Sequence, residues 1–210
     1  MQESDPLQAR SREFRHERKR ARVLFNLISV IYPMIEWHLF PRYKDALNKL
    51  DLPAGLTVLD VATGSGILAA AFAGRGHAVT GLDLSQRMLK RARERFPAID
   101  FRTFDLVDLP RIASGSYDIV SCGYLLHGLS AGFREAILKN IARIAGRYVL
   151  VFDYCCAGGW FVRLIEWIEG PNYPQFIATR RETEFAGAGL VIERAFRTSE
   201  FGNAWLCSRK

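Results

Sequence analysis

Several features that mark specialised protein classes are absent from this 210-residue sequence. Its four cysteines, at positions 122, 155, 156 and 207, form no CxxC pair and have no histidines at zinc-knuckle spacing, which excludes a metal or disulfide scaffold. Apolar residues make up 49% and charged residues 24%, values that exclude a mainly disordered chain. A chain of this length can bury a full hydrophobic core without disulfide bonds or structural metal ions. Unpaired cysteines and a polar start without a signal peptide predict a cytoplasmic protein.

Long apolar runs are also missing. The most apolar stretch, Val23–Phe40, is interrupted by Pro33, Glu36 and His38. Because a membrane-spanning helix needs about 20 predominantly apolar residues, this stretch does not predict one. It predicts an amphipathic helix that breaks at Pro33 and restarts through residues 34–50. Such a helix can pack on the domain, cover a ligand or lie in a membrane interface.

Positive charge is the one compositional excess. The formal net charge is +7, and residues 1–22 hold seven basic against four acidic side chains. This basic segment predicts a solvated helix, a nucleic-acid-binding arm or an anchor for an anionic membrane. We therefore divide the chain into a basic and apolar helical lid at residues 1–50 and a main domain at residues 51–210.

The main domain alternates short apolar runs with amphipathic segments. This alternation predicts a mostly parallel sheet of an α/β protein with helices on both faces. The last two apolar runs have no helix between them and predict an antiparallel edge hairpin that turns at residues 201–203. The seven strands are expected at residues 57–61, 78–82, 99–103, 117–122, 147–153, 191–197 and 204–208. Helices are expected at residues 67–74, 85–95, 132–144, 160–168 and 181–188, with Ser85 as an N-cap.

A glycine loop follows the first strand. Gly64 and Gly66 allow a tight turn and close approach of a ligand to the backbone. Asp83 ends the next strand, 17 residues after Gly66, where a carboxylate can hold the hydroxyls of a ribose. Two features argue against a dinucleotide, since Asp60 repels a pyrophosphate and Ala69 replaces the third glycine. An acidic loop suits a cationic ligand, such as a sulfonium.

Four motifs in order carry a family resemblance. They are DVATGSG at residues 60–66, GLDLSQRML at 81–89, FDLVDLP at 104–110 and SYDIVSCGYLLH at 116–127. Together they resemble the successive motifs of class I S-adenosylmethionine-dependent methyltransferases, over residues 56–153. The resemblance implies a Rossmann-like sheet of seven strands, a cofactor S-adenosylmethionine and the product S-adenosylhomocysteine.

The resemblance also implies roles for single residues in cofactor binding. Asp83 would accept both ribose hydroxyls, and Cys122 would lie near the methyl-bearing sulfur. Tyr32 is placed in the lid that closes over the cofactor. The remaining candidates hold the methionine portion, through Asp60 and the backbone of Ala62, Gly64 and Gly66, and the adenine, through Leu84, Asp105 and Leu106.

Candidates for the acceptor side follow the fourth and fifth strands. Residues 121–124 read Ser-Cys-Gly-Tyr without the prolines typical of nucleic-acid amino-methylating enzymes. His127 lies in a Leu-His-x-Leu-like stretch common in small-molecule and lipid methyltransferases, and its ordinary pKa suits proton transfer. Tyr124 and Tyr154 lie at the same edge. These three residues are the catalytic candidates.

The expected function is methyl transfer to a small hydrophobic or lipid-like acceptor. In the style of its motifs the chain is similar to ubiquinone and menaquinone C-methyltransferases and to phospholipid N-methyltransferases. Residues 1–40 are expected to contact a membrane peripherally. The alternatives are an RNA or protein methyltransferase that uses the basic arm, and a non-catalytic cofactor-binding partner subunit. The sequence leaves the oligomeric state and the methylated atom open.

Overall fold

The structure, a computed structural model, describes residues 32–157 and 172–210. The predictions for the basic segment 1–22 and for a helix at residues 160–168 lie outside the described residues. Six α-helices are described: α1 Tyr32–Lys49, α2 Ile67–Ala73, α3 Gln86–Arg95, α4 Ala131–Ile144, α5 Asn172–Ala178 and α6 Arg181–Gly187. Two short 3₁₀ helices span Leu106–Arg111 and Leu126–Gly128.

Seven strands form one sheet. They are β1 Thr57–Val61, β2 Ala78–Asp83, β3 Asp100–Thr103, β4 Tyr117–Gly123, β5 Ala145–Tyr154, β6 Leu190–Arg197 and β7 Gly202–Arg209. The order across the sheet is β3-β2-β1-β4-β5-β7-β6. The first five strands in this order are parallel, and β7 pairs antiparallel with both β5 and β6. This arrangement confirms the expected mostly parallel sheet with a C-terminal antiparallel hairpin.

Both faces of the sheet are covered, as the apolar strands predict. Alternate residues of β1 show this division, because Leu59 belongs to the cluster beneath α4 whereas Val58 belongs to the cluster beneath α1 and α2. The strand order changes direction between β1 and β4, and at such a point a crevice opens beyond the carboxyl ends of the strands.

The C-terminal half of helix α1 packs against the main domain. The helix starts at Tyr32, so Pro33 lies in its first turn, where the missing backbone N–H costs no hydrogen bond. Tyr43 and Leu47 of this helix are buried in the same cluster as β1. The apolar side chains of its C-terminal half therefore belong to the core. Among the described helices, none is long and apolar enough to cross a membrane.

Some local elements differ from the expectations. Residues 172–178, where the sequence analysis expects no helix, form α5, since a proline at position 174 is tolerated in the first turn of a helix. The hairpin turns at residues 198–201 rather than 201–203, because Gly202 already pairs with Tyr154 of β5. The N-cap prediction is confirmed, as the hydroxyl of Ser85 accepts from the backbone N–H of Met88.

Candidate active site

The loop between β1 and α2 has an unusual backbone. Ala62, Gly64 and Gly66 have φ angles of 56°, 56° and 80°, in the left-handed region. The conformation is costly for Ala62, which has a Cβ, and strain of this kind concentrates at functional sites. Left-handed residues interspersed in a loop turn backbone N–H groups into a common concavity. In this loop the N–H groups of Thr63 and Gly66 donate to the carbonyl oxygens of Leu82 and Thr63, at 2.8 Å and 2.9 Å, which fixes the strained backbone beyond the end of β1.

Two glycines let this loop approach its neighbours closely. A Cβ on Gly66 would lie 2.5 Å from Cζ of Phe101, and one on Gly81 would lie 2.6 Å from Cδ1 of the same ring. The Phe101 ring is buried under the loop. Both glycines are thus required by packing, which brings the loop and the end of β2 together.

Asp83 lies at the end of β2, directly beside the glycine loop. Its Oδ2 accepts from the backbone N–H of Gly64 at 2.8 Å, and its Oδ1 accepts from that of Ser85 at 2.7 Å. Burial raises the pKa of this carboxyl, and the backbone N–H donors oppose that shift. Each carboxylate oxygen has a second lone-pair site, so a carboxylate fixed in this way can still accept from a ribose diol.

Asp60 is held inside the protein beneath the same loop. It is 1% exposed; its Oδ1 accepts from the Ser121 hydroxyl at 2.7 Å and its Oδ2 from the Thr63 hydroxyl at 2.5 Å. Burial raises its pKa to about 6, although both hydroxyls oppose the shift. A group with this pKa is mostly ionised at neutral pH. Asp60 therefore places a buried negative charge under the loop and braces β1 against β4.

The other cofactor candidates divide by exposure. Leu84, Asp105 and Leu106 are half-buried and lie beyond the ends of β2 and β3. Asp105 also caps the first 3₁₀ helix, accepting from the N–H of Val107 at 3.2 Å. Cys122 is 1% exposed and lies in the core cluster beneath α4, so its thiol fills space there. The side chain of Tyr32 lies outside the described residues.

The loop contains one buried polar atom without a protein partner. The hydroxyl of Ser65 is buried and makes no hydrogen bond within the described structure. An unsatisfied buried hydroxyl is unfavourable, so a ligand atom that bonds to it would be stabilising. Together with the carboxylates of Asp83 and Asp60, this hydroxyl makes the loop fit a cationic ligand that carries a ribose, as S-adenosylmethionine does.

A second group of polar residues lies beyond β4 and β5. The Nδ1 atom of His127 is 2.7 Å from Oδ1 of Asp153, and both side chains are buried. The Asp153 carboxylate also accepts from three backbone N–H groups, those of Leu126 at 2.8 Å, His127 at 3.3 Å and Tyr154 at 2.8 Å. Because an ionised carboxylate only accepts, His127 carries its hydrogen on Nδ1, which makes Nε2 the basic nitrogen.

Aromatic rings surround this pair. The ring centroid of Tyr154 is 4.9 Å from that of His127 and 5.0 Å from that of Tyr124, in edge-to-face geometry. Tyr173 and Phe176, both on α5, each lie 6.3 Å from the His127 ring. The structure thus brings the three predicted catalytic residues together in one aromatic cluster, which α5 completes.

Tyr124 has a constrained position in this cluster. Its φ angle is 52°, and its hydroxyl bonds to the side chains of Thr198 and Ser199 in the β6–β7 turn. Burial raises its pKa to about 12. The Tyr124 side chain is therefore a neutral phenol at neutral pH and is not available there as a phenolate base.

An ionic clamp holds α5 and α6 against α4. Glu184 forms ion pairs with both Arg134 and Arg181, and the two guanidinium groups lie 5.3 Å and 3.8 Å from the Phe176 ring centroid. The N–H groups of Arg181 also bond to the carbonyl of Phe176. This clamp fixes Phe176 on the wall of the aromatic cluster.

Asp153 is a site residue that the sequence analysis did not single out, as are Ser65, Tyr173 and Phe176. It is the only acidic residue of β5, and a carboxylate at the carboxyl end of a central parallel strand is a recognisable signal. Its partner His127 lies 26 residues earlier in the chain. Only the alignment of β4 beside β5 brings the two together.

The sheet order and the loop site are those of the class I S-adenosylmethionine-dependent methyltransferase fold, and the comparisons with known proteins indicate the same class. Residues 58–146 match a family model described as a methyltransferase domain. Two curated relatives are both called ubiquinone biosynthesis O-methyltransferase. The Thiobacillus denitrificans protein is 42% identical over 35% of this chain and 33% of its own, and the Chromobacterium violaceum protein is 43% identical over 41% and 39%. The chain thus spans about a third of the length of these relatives.

Solved structures share the fold at low sequence identity. The mitomycin 7-O-methyltransferase superposes with a TM-score of 0.66 at 19% identity, over 81% of this chain and 54% of its own. The magnesium protoporphyrin IX methyltransferase of Synechocystis with bound S-adenosylhomocysteine gives 0.58 at 19% identity, over 97% of this chain and 100% of its own. These neighbours support the same methyltransferase fold.

Proposed function

We propose that this protein transfers a methyl group to a hydroxyl oxygen of a small aromatic acceptor, and that His127 takes the hydroxyl proton. The observation that carries this proposal is the 2.7 Å bond between His127 Nδ1 and the buried Asp153 carboxylate. A carboxylate so placed orients the imidazole and stabilises the positive charge that the ring acquires with a second proton. The names of the curated relatives, which specify O-methyl transfer, support the choice of oxygen.

The chemistry divides between cofactor and protein. S-adenosylmethionine, when bound, supplies a methyl group activated by a positively charged sulfur. Asp83 and the backbone of the glycine loop would hold its ribose and methionine portions, while Leu84, Asp105 and Leu106 would hold the adenine. The buried charge of Asp60 favours a cation above it. The protein's remaining task is to align the acceptor oxygen and to exclude water from it.

The aromatic cluster supports an aromatic acceptor. Tyr124, Tyr154 and Tyr173 present ring edges and faces at centroid separations of 5.0 to 5.4 Å, the geometry that proteins use for favourable aromatic pairs. A phenolic hydroxyl, with a pKa of about 10, is also easier for an imidazole to deprotonate than an alkyl hydroxyl is. The acceptor would thus lie between the glycine loop and His127.

The test is a panel of acceptors that share one aromatic ring and carry a hydroxyl, an amine or no substituent. With methyl-labelled S-adenosylmethionine, the hydroxyl compound is expected to gain label as an aryl methyl ether, identified by mass and carbon chemical shift. Label on nitrogen or on ring carbon would contradict the proposal. Membrane contact through residues 1–40 and the alternatives of an RNA or protein acceptor or a non-catalytic subunit stay predictions.

A further inference from the structure

Two adjacent cysteines lie where β5 ends. Cys155 and Cys156 follow Tyr154 directly, and their Sγ atoms are 3.9 Å apart. Both thiols are free and half-buried. The two other cysteines, Cys122 and Cys207, are buried in the core. Only the adjacent pair thus combines close thiols with access from solvent.

Both thiols are attached to the β6–β7 turn by weak bonds. The Cys155 thiol donates to the carbonyl of Phe201 at 3.4 Å, and the Cys156 thiol donates to that of Glu200 at 3.5 Å. A thiol is a weak donor, so these bonds are exchanged at little cost. Cys155 keeps a second tie to the turn, since its backbone N–H donates to Phe201 at 2.9 Å.

The geometry favours a bridging atom over a direct disulfide. The peptide bond between Cys155 and Cys156 is trans. It fixes their Cα atoms about 3.8 Å apart, below the usual range of about 4.4 to 6.8 Å in disulfides. An atom bonded to both sulfurs requires no contact between them. Soft centres are the ones that prefer sulfur ligands.

We propose that Cys155 and Cys156 form a chelating dithiol site for a trivalent arsenical. With an organoarsenic oxide, two arsenic–sulfur bonds form and the arsenic–oxygen bond breaks. The oxygen leaves as water with the two thiol protons. Arsenic stays trivalent and both sulfurs keep their oxidation state, so the step requires no oxidant or reductant.

Binding of the arsenical affects the aromatic cluster through the β6–β7 turn. Residues 198–201 accept the two thiol bonds and also hold the hydroxyl of Tyr124. Loss of the thiol bonds loosens the turn and with it the support of Tyr124. This consequence for the acceptor rests on the proposed function, whereas binding of the arsenical does not.

The test uses the folded full chain and phenylarsine oxide. Native mass spectrometry is expected to show one adduct per chain, with loss of two titratable thiols and release by a dithiol but not by a monothiol. Cys155→Ser and Cys156→Ser are each expected to weaken binding by about 100-fold, because the second bond of a chelate forms at high effective concentration. Cys207→Ala is the matched control and is expected to bind as the wild type does.

Two results would contradict the proposal that Cys155 and Cys156 bind the arsenical. One is wild-type affinity in either single-serine variant, and the other is an adduct that maps to Cys122 or Cys207. Circular dichroism of each variant shows that it is folded before binding is compared. Since no methyl transfer is measured, failure here is distinct from failure of the proposed acceptor chemistry.

Discussion

The His127 imidazole donates through Nδ1 to the buried carboxylate of Asp153 at 2.7 Å, joining the ends of two neighbouring parallel strands. The same carboxylate accepts three backbone N–H groups. Asp153 therefore has a double role, since it shapes the chain after β4 and orients the ring proposed as proton acceptor.

Asp153→Asn is expected to lower kcat for the hydroxyl acceptor by about 100-fold, within the range that a positioned base contributes. The amide keeps the shape but loses the negative charge that stabilises the charged imidazole. Affinity for S-adenosylhomocysteine, measured by calorimetry, is expected to change less than about twofold. A loss of cofactor affinity as large as the loss in kcat would show a structural role alone.

Asp83→Ala is expected to weaken S-adenosylhomocysteine binding by about 10- to 100-fold, the loss expected for charge-assisted hydrogen bonds of about 1.5 to 3 kcal/mol. The variant also frees the N–H groups of Gly64 and Ser85. Calorimetry measures the change. Asp100→Ala, on exposed β3 with an exposed partner Arg102, is the matched control and is expected to bind normally. Equal affinity in both variants would place the ribose elsewhere.

Asp60→Asn is expected to change the pH dependence of stability. The pKa of Asp60 is about 6 in the folded protein and 3.8 ordinarily, so between these values the folded state binds more protons than the unfolded state. The contribution of Asp60 to stability therefore falls as pH rises from about 4 to 6 and is constant above that.

The asparagine variant does not titrate, so its stability relative to wild type is expected to rise over the same window by up to about 3 kcal/mol. Denaturant unfolding at pH 4, 5, 6 and 7 measures this difference, and the change with pH separates it from any constant effect of altered hydrogen bonds. Asp100→Asn, exposed on β3, serves as control. If the difference in stability between the variant and the wild type does not vary with pH, then the pKa of Asp60 is not raised in the folded protein. The variant is also expected to bind cofactor less tightly at pH 7.

A comparison of Gly66→Ala with Gly76→Ala separates the cost of backbone strain from the cost of a steric clash. Gly66 and Gly76 have nearly equal φ angles of 80° and 81°, but a Cβ at Gly76 meets nothing within 4 Å. Gly76→Ala is expected to cost about 1 to 2 kcal/mol from strain alone. Gly66→Ala is expected to cost about 1 to 3 kcal/mol more, because its Cβ overlaps the Phe101 ring. Denaturant midpoints with unchanged m-values test this, and equal losses would contradict the packing.

Local chemistry explains which elements the sequence predicted. β1 and β4 are short apolar runs whose ends are marked by glycine or a turn, and Ser85 has the side chain of an N-cap. The glycine loop and Asp83 follow a recurring order along the chain, so their proximity followed from the parallel sheet. Each of these signals is local in the sequence, and Asp83 follows Gly66 by only 17 residues.

Long-range packing explains what the sequence did not show. No local pattern connects His127 with Asp153, or Glu184 with Arg134, which lies 50 residues earlier. The sequence did not predict α5, because prolines at positions 171 and 174 disfavour a helix, although α5 supplies Tyr173 and Phe176 to the aromatic cluster. The burial of Asp60 between two hydroxyl groups likewise depends on Ser121 of the neighbouring strand.

The most direct test of the account is single-turnover methyl transfer to a hydroxyl acceptor by His127→Asn. The asparagine amide can still donate to Asp153, as Nδ1 does, but it offers no basic nitrogen. We expect the rate of aryl ether formation to fall by about 100-fold or more at pH 7, while affinity for S-adenosylhomocysteine and thermal stability stay close to wild type. An unchanged transfer rate in the folded variant would contradict the account.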